Sequence, residues 1–237
     1  MQRATVNDVE SLSYRIIEVL LLLPTAAWGL FGLGAIFLGI TGGVGGLQGP
    51  AGMVGILGTF GLGYVALLVL AVVSWLVTPV VLYLDTSRIA ETDVDWDPNP
   101  ILWAVGGFFL GHLMKLNHLY YRHKVVVDWV DRDWWWVFVT VGAVCPLTFL
   151  ALGVALAETL GTAVTIVLVG LGILSAVPFA LAIYRDATYV RLNSAEWRPN
   201  PGTYVSLGLI FLLLAPVAYP LVGGYYLVRR YGAVGFE

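Results

Sequence analysis

Six long apolar runs restrict this chain to a membrane. They are Ile16 to Ile40, Met53 to Leu84, Pro100 to Tyr121, Trp134 to Ala157, Leu160 to Tyr184 and Pro201 to Leu227. Each meets or exceeds the roughly 20 residues that a helix needs to cross a hydrocarbon core about 30 Å thick. Lipid offers a backbone no hydrogen bonds, and a helix satisfies its own within one segment. A soluble domain of 237 residues could not hide so much apolar surface, since 59% of the residues are hydrophobic and only 11% are charged. The expected fold is therefore all-α and polytopic: six transmembrane helices in one membrane domain, residues 1–237. The lipid bilayer of the cell membrane is its expected partner, and no nucleic-acid partner is expected.

The chain also states one thing twice. Tyr83, Asp85, Trp96, Pro98, Asn99 and Pro100 recur as Tyr184, Asp186, Trp197, Pro199, Asn200 and Pro201, 101 residues later and without a gap. Each copy leaves one apolar run and enters the next. The duplication divides the domain into two fused units of three helices, residues 16–121 and 134–228. The first helices of both units carry an interior proline, Pro24 and Pro146. Three crossings per unit is an odd number, which predicts that the two units are inverted relative to one another. Inverted repeats recur in secondary transporters, with a site at the interface of the halves.

The repeated Trp-x-Pro-Asn-Pro element has a reading that needs no ligand. Proline suits the first turn of a helix, where its missing N–H is not required, and asparagine can cap that turn. Tryptophan favours the headgroup zone. Trp96, Pro98, Asn99 and Pro100, and likewise Trp197, Pro199, Asn200 and Pro201, are read as a structural start signal for the third and sixth helices.

The candidate site is a polar stripe in the third run. His112, Lys115, His118 and Arg122 are spaced to share one helical face. Lys115 is expected to snorkel to the interface, with His118 and Arg122 there already. That leaves His112 as the deep member, roughly 13 Å in. At the 101-residue offset these positions become Leu213, Pro216, Tyr219 and Gly223, which confines the stripe to one unit. Ionisable groups inside a bilayer are functional candidates.

Other signatures are weaker. Cys145 is the sole cysteine, so no intrachain disulfide and no cysteine-based metal site can form. The chain has three histidines, His112, His118 and His123, all in or just after one run. Neither zinc nor bis-histidine haem ligation within one chain is expected, and no cofactor is predicted. Asp93, Asp95 and Asp97 lack the glycine and glutamate of a calcium loop. The glycine-rich connection 42–52 lacks the lysine of a phosphate loop. Glu158 to Thr162 is short enough for a tight antiparallel turn. Basic residues divide five against six between the two faces of a six-span protein, so the positive-inside rule assigns no orientation. Glycines within runs, among them Gly106, Gly107, Gly170 and Gly172, allow close helix contact and leave room for a homo-oligomer or a membrane-complex partner.

The segment Asp186 to Pro201 with Trp197, Pro199, Asn200 and Pro201, followed by Tyr225, Tyr226, Arg229 and Arg230, resembles uncharacterised multi-pass membrane proteins of haloarchaea. Two lysines against ten arginines suit that origin. The resemblance implies a multi-pass membrane protein and transfers no functional residue. The expected function is that of a non-enzymatic membrane component. The rival is a small-solute or ion transporter or channel, with His112 or Lys115 lining its path. A haem-binding or enzyme membrane subunit is the third reading.

Overall fold

Tyr14, in the first unit, touches the hydroxyl of Tyr184, in the second, and that contact marks the end of the molecule where most of its polar chemistry gathers. The computed structural model describes residues 4–5, 11–24, 26–27, 31, 50–127, 134–214 and 218–236. Within them the regular structure is helical apart from a parallel two-residue pairing of β1 (Ala4–Thr5) with β2 (Val126–Val127). The helices of the first unit are α1 (12–24), α2 (Pro50–Ala90), α3 (Pro100–Leu110) and α4 (His112–Val125). Those of the second are α5 (Trp135–Ala155), α6 (Ala157–Ala176), α7 (Phe179–Asn193), α8 (Pro201–Leu214) and α9 (Tyr219–Val234). Most of the connection 42–52, together with Trp129 and Arg132, lies outside the described residues.

Among the described residues, three helical stretches are long and apolar enough to cross a membrane: Gly61–Ala90, Trp135–Ala155 and Val164–Asn193. Outward-facing Leu62, Val65, Val69 and Leu76 on α2, and Val144 and Val154 on α5, suit contact with lipid. Ser11 caps α1 by accepting the Tyr14 N–H at 3.2 Å. The turn expected over Glu158 to Thr162 begins two residues earlier: Leu156 alone separates α5 from α6, and Gly161, with φ 76°, breaks α6 just after its first turn.

The third run of each unit does not form the single spanning helix that six crossings would need. It is not one long helix but two shorter ones folded back on each other. Gly111 breaks the first at φ 48° and ψ −109°, a conformation that favours a residue without a Cβ. Trp103 and His118 would stand about 22 Å apart along a straight helix. Their rings are 5.2 Å apart. In the second unit Tyr204 and Tyr226 would be about 33 Å apart, and their rings are 4.9 Å apart. A long apolar run can form a hairpin as readily as a span, and in the first unit a glycine at its middle decides. Aromatic side chains take up carbonyls released near both tips: Trp75 Nε1 donates to Phe108 O at 2.7 Å, and Tyr219 Oη to Gly208 O at 2.8 Å.

The two units pack against each other through α1, α4, α7 and α8. Tyr14, Ile17, Leu21, Leu82 and Leu119 of the first share a buried cluster with Ala180, Tyr184, Val205 and Leu209 of the second. At the closest approach a Cβ on Gly202 would lie 2.6 Å from the backbone N and Cα of Tyr120. Asn200 Nδ2 donates to Tyr120 O beside it, at 3.0 Å.

Candidate functional site

Each unit builds one buried lock from the helix that precedes its hairpin, α2 or α7, and the returning arm of that hairpin. In the first, Asp85 at the end of α2 accepts from His118 Nε2 at 2.7 Å and pairs with Arg122 Nε at 3.2 Å. A carboxylate has only lone pairs to offer, so Nε2 carries the imidazole proton. Trp96 and Trp103 close over His118 at 5.6 and 5.2 Å between rings, and Tyr14 lies against the Arg122 guanidinium at 3.5 Å. In the second, Asp186 accepts from Tyr226 Oη at 2.7 Å and from Arg230 Nε at 2.9 Å. Trp197 and Tyr204 close over Tyr226 at 5.4 and 4.9 Å, and Trp136 and Phe236 lie beside Arg230. Both aspartates and both arginines are inaccessible or nearly so. A buried charge persists only when it is paired and hydrogen-bonded.

The correspondence between the units changes register along the chain. The offset is 122 in the first helix, where Tyr14 matches Trp136, Ile17 matches Val139 and Pro24 matches Pro146. It is 101 from Asp85 and Asp186 through the Trp-x-Pro-Asn-Pro element to Gly107 and Gly208, both of which face the second helix of their own unit or its continuation. It is 108 in the returning arm, where His118 matches Tyr226 and Arg122 matches Arg230. The extra seven residues lie around the second hairpin tip. The expectation that the basic stripe is confined to one unit is thereby corrected: its lower half recurs with tyrosine in place of histidine.

The four stripe residues do not act as one group. His118 and Arg122 belong to the Asp85 lock. Lys115 does not snorkel: it is 1% exposed, and its Nζ donates to Leu20 O and Ser74 Oγ, both at 2.9 Å. Its reach to the interface is blocked because α4 turns that face inward against α1 and α2. His112, expected to be the deep member, is exposed beside the hairpin break. The Asn99 and Asn200 side chains cap α3 and α8: Asn99 Oδ1 accepts from Ile101 N at 3.0 Å and Leu102 N at 3.2 Å, and Asn200 Oδ1 from Gly202 N at 2.9 Å. Pro100 and Pro201 are the first helical residues, while Pro98 and Pro199 are buried just before them.

A second polar cluster joins the units. Tyr14 Oη donates to Glu18 Oε1 at 2.7 Å, and Tyr184 Oη donates to the same oxygen. Arg185 Nη2 reaches Glu18 Oε2 at 3.3 Å, and His123 Nε2 lies 3.0 Å from Tyr184 Oη. With the tyrosine proton given to Glu18, the Tyr184 oxygen accepts and His123 Nε2 donates. Sequence reasoning did not single out Glu18, Asp85, Asp186, His123 or Tyr184 as site residues. The signal was present for the aspartates: an acidic residue duplicated at the end of an apolar run, with an arginine closing each unit. Nothing in the linear spacing pointed to Glu18, whose partners Tyr184 and Arg185 belong to the other unit.

On the open side of the first unit, a shallow groove of about 440 Å³ runs along Tyr83, Pro98, Asn99 and Ile101. The matching face of the second unit, Tyr184, Asn200 and Gly202, is covered by the first. Among the described residues no group of three His, Cys, Asp or Glu is placed to hold a metal ion. Comparison of the chain with protein-family models, with curated proteins and with solved structures found no match.

Proposed function

We propose that the protein is a non-enzymatic component of the cell membrane, crossing it four times and carrying two re-entrant hairpins that enter from one face. The observation that carries this reading is the doubled lock. Each unit's aspartate is engaged by its own hairpin, through an arginine and one further donor, in a water-excluded setting that holds two helices together. Groups engaged in this way are positioned to stabilise rather than to turn over a substrate.

Four crossings make the two units parallel rather than inverted, and they resolve the charge tie. Arg15, Arg88, Arg122, Lys124, Arg185, Arg191, Arg198, Arg229 and Arg230 then gather at the end that holds both locks, with Lys115 deeper inside and Arg3 and Arg132 outside the described residues. The stretch of sequence between α1 and α2, residues 25–49, and the connection 156–163 contain no lysine or arginine. So lopsided a distribution supports a cytoplasmic location for the lock end.

The test is cysteine labelling with a membrane-impermeant reagent in a Cys145→Ala background. Thr92→Cys and Ala195→Cys are expected to label from the cytoplasmic side and Glu158→Cys from the other. Labelling of Thr92→Cys and Ala195→Cys from opposite sides would restore the inverted arrangement. Purified protein in liposomes is expected to carry no saturable solute or ion flux. Such flux would favour the transporter or channel reading, which draws its support from the ionisable cluster of Glu18, His123 and Arg185 between the units.

A further inference from the structure

We propose that Pro24 and Ser74 build a notch for a primary ammonium group between α1, α2 and α4, that the chain fills it with its own Lys115, and that the filled notch pins the first hairpin in place. Pro24 has no N–H, and the carbonyl which that N–H would reach in a helix belongs to Leu20. A carbonyl released in apolar surroundings needs another donor. Leu20 O receives two, Lys115 Nζ at 2.9 Å and Ser74 Oγ at 3.3 Å. The Ser74 oxygen in turn accepts from Lys115 Nζ at 2.9 Å. Three groups from three helices thus close a ring of hydrogen bonds in which the serine proton is used once. Leu20, Ser74 and Lys115 are all buried.

The second unit shows that the common architecture does not require this lysine. Pro146, Ser175 and Gly223 stand where the first unit has Pro24, Ser74 and Lys115. There Ser175 turns back to Gly172 O at 2.6 Å, and the Phe179 side chain fills the space, 3.1 Å from where a Cβ on Gly223 would be. The proline is tolerated in both units, but only the first answers it with a cation. In that unit the returning arm carries Lys115 three residues before His118 and seven before Arg122. An ammonium seated at Leu20 therefore sets the depth at which the arm meets Asp85.

The test is a thermal unfolding series on the full chain in detergent. Lys115→Ala is expected to lower the midpoint by several degrees. Methylammonium should return a substantial part of that loss, because it supplies N–H donors of the right class. Tetramethylammonium, which has none, and sodium at equal ionic strength should return nothing. Pro24→Ala restores the N–H to Leu20 O, so the loss caused by Lys115→Ala should shrink to less than about half in that background. An equal loss in both backgrounds would overturn the proposal, as would indifference of Lys115→Ala to methylammonium. If Lys115→Ala does not fold, Lys115→Met, of similar length and without donors, takes its place in the cycle. A wild-type midpoint for Lys115→Met also overturns the proposal.

Discussion

Arg122 and Arg230 hold equivalent places in the two units, each on the aspartate of the helix that precedes its own hairpin, although the hairpin that delivers Arg230 is longer by seven residues. Seven residues are about two helical turns, so a longer hairpin tip still brings the arginine back to the same face of the returning arm. The ion pair, rather than the length of the hairpin, is what the two units share.

Asp186→Asn removes the carboxylate that faces a fully buried Arg230. An uncompensated buried charge costs about 3–5 kcal/mol, and thermal unfolding in detergent should show a loss of that order. Asp186→Asn combined with Arg230→Met should recover most of it. Failure of the double variant to recover would mean that the arginine is held by contacts other than the aspartate.

Gly202→Ala places a methyl against the backbone of Tyr120, which cannot move aside as a flexible side-chain end could. Overpacking of this kind costs about 1–3 kcal/mol. Gly224→Ala is the control: a Cβ there meets nothing within 4 Å, and stability should stay within about 0.5 kcal/mol of wild type. Similar losses in the two variants would refute the close approach of the units.

Asn99→Ala removes a helix cap and should cost about 1 kcal/mol. Asn200→Ala removes the matching cap and also the hydrogen bond to Tyr120 O, and should cost about 1 kcal/mol more. The difference between these two variants, measured by chemical or thermal unfolding, reports the inter-unit bond.

The fold-back of the sixth apolar run can be measured directly. Spin labels at Thr203 and Arg229, both exposed, would stand about 39 Å apart on one straight helix. In the folded-back hairpin the distance by pulsed electron paramagnetic resonance should be about half of that or less. A distance near the straight-helix value would return the run to a single span.

Much of the fold was legible in the chain. Apolar runs long enough to cross a bilayer determine a helical membrane protein, because lipid leaves the backbone no other way to satisfy its hydrogen bonds. The duplicated Asp and Trp-x-Pro-Asn-Pro element marks where α3 and α8 begin, because capping and first-turn preferences act over a few neighbouring residues. Only the tertiary structure decided what those helices do next. Run length sets how far a helix could reach, but it does not say whether Gly111 turns it back. Helical periodicity put Lys115, His118 and Arg122 on one face, yet which way that face turns depends on Asp85, Tyr14 and Leu20, which come from other helices. The same holds for Glu18, whose place between Tyr14, Tyr184 and Arg185 follows from the packing of one unit on the other. Contacts of that range leave no periodic trace in a single sequence.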